Sequence, residues 1–206
     1  MAGRPALFLD RDGTLVHSRA YPARPHELVL YDGIAPLMRE AQACGFALVV
    51  ITNQAGLAHG LFTELDLAAM HEHLIRELAF HDVQLDAIYH CPHHPQGVVP
   101  ELTRTCDCRK PKPGMILAAA GDLDIDLGAS WMIGDRLDDV EAGASAGCRT
   151  ILIDLGTEPI PDDPLRVPSY VARDTMHALH IALGGQAGTT ELGYRPTSWG
   201  LSSSIV

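Results

Sequence analysis

Short apolar runs alternate along the chain with longer segments whose apolar residues recur at helical spacing. The runs of strand length are residues 6–9, 47–51, 87–89, 131–133 and 151–153. The segments with a helical pattern are 34–43, 64–80, 115–120, 138–146 and 174–183. Several have end signals, with Thr63 as N-cap and Gly45 and Gly147 as stops. The alternation predicts an α/β fold, a Rossmann-like parallel sheet with helices on both faces.

Two segments break this pattern. Residues 91–113 are rich in Cys, His and Pro and show no period, and residues 184–206 are rich in Gly, Ser and Thr. We therefore predict one domain over residues 1–183, which contains an irregular loop at 91–108, and a C-terminal tail over residues 184–206.

Composition and charge narrow the classes of function. The 206 residues are 47% hydrophobic, enough for a full core, and carry 15 basic and 26 acidic side chains for a formal charge of −11. This balance disfavours binding to nucleic acid or to an anionic membrane, because both need a basic face. No apolar run approaches the length of a membrane span, and no signal peptide is visible. We expect a monomer in the reducing cytoplasm, with neither nucleic acid nor membrane as partner.

An acidic motif follows the first predicted strand. Asp10 and Asp12 lie two residues apart where the strand ends, and ligands of parallel sheets bind beyond the carboxyl ends of the strands. Two such carboxylates can divide the roles of nucleophile and general acid/base, and can help to hold Mg²⁺. The alternatives are solvated turn residues or a calcium loop. The calcium loop is excluded because its sixth and twelfth positions are Leu15 and Tyr21.

Three later segments place polar groups where they can join this motif. They are Thr52-Asn53-Gln54 after the second strand, Arg109-Lys110 before the third helix, and Asp135 with Asp139 after the fourth strand. Each alone is also explained as a turn residue or a helix cap. Their joint order along the chain favours a single site at one edge of the sheet.

The irregular loop carries a cluster of soft metal ligands. Its members are Cys91, His93, Cys106 and Cys108, arranged as C-x-H and C-x-C. Three thiolates and one imidazole are typical of a closed, structural Zn²⁺ site. A disulfide is disfavoured by the reducing compartment, unrelated thiols remain an alternative, and His94 is the alternative imidazole. Zinc bound to Cys108 would also position the side chains of Arg109 and Lys110, which follow it.

In order along the chain, these motifs resemble the four motifs of the haloacid dehalogenase (HAD) superfamily of phosphotransferases. The matching residues are Asp10 with Asp12, Thr52, Lys110, and Asp135 with Asp139. The resemblance spans about residues 6–154. It implies that Asp10 attacks phosphorus and becomes an aspartyl phosphate, while Asp12 protonates the leaving oxygen and then activates water. It also implies Mg²⁺ bound by Asp10, the backbone carbonyl of Asp12 and Asp135, with Thr52 and Lys110 on the phosphoryl oxygens.

Residues 91–97, 106–111, 52–54 and 10–14 together are similar to the D-glycero-D-manno-heptose 1,7-bisphosphate 7-phosphatases, over about residues 5–155. That resemblance implies Mg²⁺-dependent release of the C7 phosphate to give heptose 1-phosphate, in the biosynthesis of nucleotide-activated heptose. The implied substrate contacts are Thr52, Asn53, Gln54, Arg109 and Lys110. Residues 17–21, His-Ser-Arg-Ala-Tyr, depart from the family pattern and leave the sugar contacts and the anomer open.

Three other functions compete with this one. A histidinol-phosphate phosphatase has a similar zinc loop in a shorter form. A zinc-loop binding module without turnover is disfavoured because all three candidate aspartates are present, and a nucleic-acid end phosphatase is disfavoured by the charge. Only 37 residues separate Thr14 from Thr52, so no globular cap fits between them. We expect an open site for a small phosphorylated sugar, with the zinc loop as one wall.

Overall fold

The computed structural model describes residues 3–184. Its strands are β1 Ala6–Leu9, β2 Ala47–Asn53, β3 Ala87–Cys91, β4 Trp131–Gly134, β5 Arg149–Ile153 and β6 Tyr170–Ala172. Its α-helices are α1 Ile34–Ala43, α2 Glu64–Phe80, α3 Gly114–Leu123, α4 Leu137–Ala146 and α5 Thr175–Ala182. Apart from Gly184, the predicted tail lies outside the described residues.

All six strands form one parallel sheet in the order β3-β2-β1-β4-β5-β6. β1 is central, and its last residue, Leu9, lies opposite Val50 of β2 and Ile133 of β4. The chain therefore leaves β1, β2 and β4 at neighbouring points on the same edge, which is where parallel sheets bind ligands.

Helices cover both faces of the sheet. Alternate residues of β1 point to opposite faces, so Leu7 and Leu9 pack with α1, α2 and α5, whereas Phe8 packs with α3 and α4. Every residue of β1 is fully buried. These two apolar layers confirm the predicted α/β fold.

The structure extends several predicted strands and adds one. β2 continues through Thr52 and Asn53, because both residues pair with β3. β6 was not predicted, since it is only three residues long and lies at the sheet edge with Tyr170 exposed.

No globular cap interrupts the fold between β1 and β2, as predicted. Between Thr14 and Thr52 the chain forms loops, one 3₁₀ turn at Pro25–Glu27, α1 and the start of β2. None of the helices within residues 3–184 has the length and apolar character needed to cross a membrane.

Candidate active site

The carboxyl ends of β1, β2 and β4 border a pocket of about 370 Å³. Most of the predicted site residues outside the cysteine loop line it, namely Asp10, Asp12, Thr52, Asn53, Arg109, Lys110, Asp135 and Asp139. They come together because β1 pairs with β2 on one side and with β4 on the other. Gln54 is buried and is not part of the lining.

Lys110 is the buried cation of this pocket, with only 4% of the residue exposed. Its Nζ lies 2.6 Å from Asp10 Oδ1 and 2.6 Å from Asp139 Oδ1. It also donates to the backbone oxygen of Ile51 at 2.8 Å, so each of its three hydrogens has an acceptor. Burial opposes the charge, but the two carboxylates hold the pKa of Lys110 above its ordinary value. The side chain is therefore a permanent cation in contact with Asp10.

Three buried carboxylates lie close together beside this cation. Asp10, Asp135 and Asp139 each place an oxygen within 4.8 Å of the others. Asp139 is engaged by Lys110 and by the backbone N–H of Arg136, whereas Asp135 Oδ1 accepts no hydrogen bond from the described residues. Burial and the neighbouring carboxylates raise the pKa of Asp135 to about 8. Asp10 and Asp135 therefore fit a divalent metal ion that prefers oxygen ligands.

Within the described residues, the Asp12 carboxylate accepts hydrogen bonds through one oxygen only. Oδ2 accepts from Arg11 Nε at 3.1 Å, from Arg11 Nη2 at 2.8 Å and from Gln54 Nε2 at 3.2 Å. Within residues 3–184 the buried Oδ1 has no partner. Burial raises the pKa of Asp12, although Arg11 opposes the shift. A carboxyl group that lines the pocket and has a raised pKa suits a residue that gives up and takes back a proton.

Gln54 connects Asp12 to Thr52 from beneath the pocket. Its Oε1 accepts from Arg11 Nη2 at 3.0 Å, and its Nε2 donates to Thr52 Oγ1 at 2.8 Å as well as to Asp12. Because Thr52 accepts this bond, its own hydroxyl hydrogen is free to donate to a group in the pocket. Gln54 is predicted to contact substrate, but both polar atoms of its amide are hydrogen-bonded to protein groups in the structure.

Asn53 and Arg109 line the pocket and also anchor the loop that carries Lys110. Asn53 Nδ2 donates to the backbone oxygen of Lys110 at 3.0 Å, and Asn53 Oδ1 accepts from the backbone N–H of Lys110 at 3.1 Å. Arg109 Nη1 donates to the backbone oxygen of His93 at 3.3 Å. Direct hydrogen bonds therefore join the end of β2 to the loop that carries Arg109 and Lys110 (the cation loop), and join that loop to the cysteine loop at residues 91–108.

Gly13 allows the loop after β1 to approach Asp135. Its φ of +86° lies in the left-handed region, and a Cβ atom there would lie 2.5 Å from Asp135 Oδ2. Any side chain at this position would displace the carboxylate that faces the pocket.

The four predicted zinc ligands form a compact cluster, with one ligand atom from each residue within 4.8 Å of the others. The Sγ atoms lie 3.5 Å apart for Cys91 and Cys106, and 3.2 Å from Cys108 to each of these. His93 Nδ1 lies 3.4 Å from Cys108 Sγ and 3.7 Å from Cys91 Sγ. Ligands of a tetrahedral zinc ion are roughly 3.5–3.8 Å apart, given the usual bond lengths. The cluster therefore has nearly the size of a zinc site.

His93, and not His94, is the imidazole whose ligand atom lies within the cluster. The His94 ring lies against His59, with 4.7 Å between the ring centroids, and its Nδ1 accepts from the backbone N–H of Gln96. His93 Nε2 lies 2.8 Å from the exposed Arg104 side chain. Metal ligation through Nδ1 would leave the ring hydrogen on Nε2, so Arg104 must then turn aside.

Several residues of the site were not singled out from the sequence. Ser18, Tyr21, Arg136 and Asp138 complete much of the pocket lining. Ser18 and Tyr21 belong to the segment that departs from the family pattern, and that departure was the only signal for them. Arg11 has no exposed surface, and its place between two aspartates gave no indication of burial.

Comparison with known proteins agrees with this geometry. A HAD-hydrolase-like family profile matches residues 107–178. The D-glycero-beta-D-manno-heptose-1,7-bisphosphate 7-phosphatase of Escherichia coli O6:H1 is 48% identical over 167 residues, which cover 81% of this chain and 88% of that protein. Its namesake in E. coli K12 is 47% identical over the same length, covering 81% and 87%.

A solved structure leads to the same group of proteins. The crystal structure of D,D-heptose 1,7-bisphosphate phosphatase from B. bronchiseptica, complexed with magnesium and phosphate, is similar with a TM-score of 0.74. The identity is 31%, and the match covers 87% of this chain and 98% of that one. With the identities given above, this likeness shows that the chain belongs to the heptose-1,7-bisphosphate 7-phosphatase family of the HAD-like hydrolases.

Proposed function

We propose that this chain hydrolyses the C7 phosphate of D-glycero-β-D-manno-heptose 1,7-bisphosphate to heptose 1-phosphate and inorganic phosphate. The observation that supports the chemistry is the contact between Asp10 and the buried Lys110 ammonium, with Asp12 two residues away in the same pocket. The names of the relatives support the sugar and the β anomer.

In the first step, a carboxylate oxygen of Asp10 attacks phosphorus and the bond from phosphorus to the C7 oxygen breaks. Asp12 gives its proton to that oxygen, and heptose 1-phosphate leaves. Thr52 donates its free hydroxyl hydrogen to a phosphoryl oxygen. As Asp10 becomes an acyl phosphate it loses its negative charge, so the hydrogen that Lys110 directs at it becomes available to the phosphoryl group.

In the second step, water attacks the phosphorus of the aspartyl phosphate. Asp12, now ionised, takes a proton from the water as the bond to the Asp10 oxygen breaks. Inorganic phosphate leaves, and both aspartates return to their starting states. One positioned carboxyl group thus serves both steps.

We further propose that the divalent metal is Mg²⁺, held by Asp10, Asp135 and the backbone carbonyl of Asp12. When bound it would supply positive charge against the repulsion between a carboxylate and a phosphate dianion. Zn²⁺ held by Cys91, His93, Cys106 and Cys108 would fix the cysteine loop. Because Cys108 lies two residues before Lys110, the zinc site would also hold the cation loop in place.

The test is phosphate release with Mg²⁺ from four substrates: the β and α anomers of heptose 1,7-bisphosphate, histidinol phosphate, and a 3′-phosphorylated oligonucleotide. We expect the β anomer to have the highest kcat/KM, with loss of the C7 phosphate only, and we expect chelation of the metal to stop turnover. Preference for histidinol phosphate would overturn the assignment of the sugar.

The same assay tests the nucleophile. Asp10→Asn should abolish turnover without unfolding the protein, because uncatalysed hydrolysis of phosphate monoesters is too slow to hide the loss. Asp82→Asn is a matched control, since Asp82 is exposed and its nearest ionic partner is Arg39 at 3.6 Å. A folded Asp10→Asn protein that keeps much of the wild-type kcat would exclude Asp10 as nucleophile.

A further inference from the structure

Arg11 is a fully buried charge one residue from the proposed nucleophile. Its side chain has no exposed surface, and its ionic partner is Asp12. Removing a guanidinium from water is costly unless hydrogen bonds replace the lost hydration, and a buried ion pair is weak evidence for a purely stabilising role. Its position beside the reacting groups points to a role in catalysis.

The geometry of the pair fixes one oxygen of Asp12. Arg11 directs both Nε and Nη2 at Oδ2, at 3.1 and 2.8 Å. Both contacts fall on one oxygen, instead of one on each as in a side-by-side carboxylate pair. Oδ1 is left without a partner among the residues of the described part of the chain.

Gln54 strengthens the same asymmetry, and its orientation depends on Arg11. Because a guanidinium only donates, the Gln54 atom 3.0 Å from Arg11 Nη2 must be the amide oxygen. The amide nitrogen then faces Asp12 Oδ2 at 3.2 Å, so it adds a third bond to the oxygen that is already held.

The backbone of Arg11 is held as firmly as its side chain. Its carbonyl oxygen accepts from the backbone N–H groups of Leu15 and Val16, both at 3.0 Å. Arg11 is therefore tied into the turn that follows β1 through its backbone as well as its side chain.

We propose that Arg11 is a positioning residue that, with Gln54, holds Oδ2 of Asp12 and so fixes the carboxyl group that gives its proton to the leaving oxygen. The inference rests on the proposed function, in which Asp12 is the general acid. Arg11 itself touches neither substrate nor metal in this assignment.

A comparison of leaving groups tests it. In single-turnover experiments, release of p-nitrophenolate from p-nitrophenyl phosphate needs little protonation, whereas release of the C7 alcohol from heptose 1,7-bisphosphate needs a proton. We expect Arg11→Lys and Arg11→Met to lower the ratio of alcohol release to nitrophenolate release by about tenfold or more, a part of what general acid catalysis contributes. A general loss of packing would lower both rates by the same factor.

Three further variants make the result decisive. Arg4→Met removes another Arg–Asp pair, in which Arg4 Nη2 lies 2.6 Å from Asp86 Oδ1, and should leave the ratio unchanged. Gln54→Met should lower the ratio and serves as the test if the Arg11 variants fail to fold. Asp12→Asn should lower it most.

The outcomes separate the two proposals. An unchanged ratio in Asp12→Asn would overturn the acid role of Asp12 and the inference with it. A low ratio in Asp12→Asn with an unchanged ratio in the folded Arg11 variants, or in Gln54→Met if they do not fold, would overturn the inference alone.

Discussion

Replacing Lys110 by arginine keeps the charge of the buried cation but changes its shape. A single nitrogen now serves Asp10, Asp139 and the carbonyl of Ile51, all within 2.8 Å. A guanidinium is a planar fork whose nitrogens cannot occupy that one point, and the site is almost closed to solvent. At least one of the three contacts must lengthen.

The size of the effect follows from the contact that is lost. A hydrogen bond to a charged group contributes about 1.5–3 kcal/mol, and about 1.4 kcal/mol removed from the transition state is tenfold in rate. We therefore expect Lys110→Arg to lose at least about tenfold in kcat/KM. Lys110→Met would leave buried carboxylates without their cation, which costs about 3–5 kcal/mol of folding free energy, so its Tm should fall as well.

Steady-state phosphate release and thermal unfolding of each variant measure these effects. Lys112→Arg is the matched control, because Lys112 has a 54% exposed side chain and pairs with Asp107 at the surface, where an ion pair contributes at most about 1 kcal/mol. Near-wild-type kinetics for Lys110→Arg as well as for Lys112→Arg would refute the argument, since any cation would then serve at position 110.

Protein purified without chelator should hold about one zinc per chain by elemental analysis, as expected for a single closed site. Cys108→Ser should lower kcat strongly and Tm only slightly. A wild-type protein that is active without zinc would refute the assignment. Gly13→Ala should lose more than about tenfold in kcat/KM because its Cβ would overlap Asp135, and unchanged steady-state kinetics would contradict that close approach. Burial lowers the pKa of His71 to about 3, so below pH 6.5 the unfolded chain binds a proton that the folded chain does not. Between about pH 7 and pH 5 the unfolding free energy of wild type should therefore fall by about 2 kcal/mol more than that of His71→Gln. Parallel urea denaturation series should show this divergence, and equal losses would count against a neutral buried His71.

The elements with strong local signals were predicted almost to the residue. α2 begins after Thr63, as expected, because the Thr63 hydroxyl accepts from the backbone N–H of Asp66 and the Asp66 carboxylate accepts from that of Thr63. The carboxyl ends of β2, β3 and β4 were predicted too short. Thr52 and Asn53 look like loop residues in the sequence, and only their pairing with β3 makes them part of β2.

The parts of the site that escaped prediction depend on contacts across long sequence distances. The ion pair between Lys110 and Asp10 joins residues 100 positions apart, and no local pattern reveals that Lys110 also binds Asp139. The burial of Arg11 goes against the usual preference of arginine for the surface. By contrast, the cysteine loop was predictable because its ligand types are rare and lie close together in sequence.

The central position of β1 has a consequence for synthesis on the ribosome. One neighbour, β2, begins at Ala47, but the other, β4, begins only at Trp131. At roughly 5–20 residues per second, the nascent chain carries β1 with one edge of unpaired backbone N–H and C=O groups for several seconds. During that interval the edge is open to pairing with other chains, and Asp135 has not yet joined Asp10 in the pocket. A chaperone that shields this edge until α4 emerges would therefore raise the yield of active enzyme without touching the mature protein.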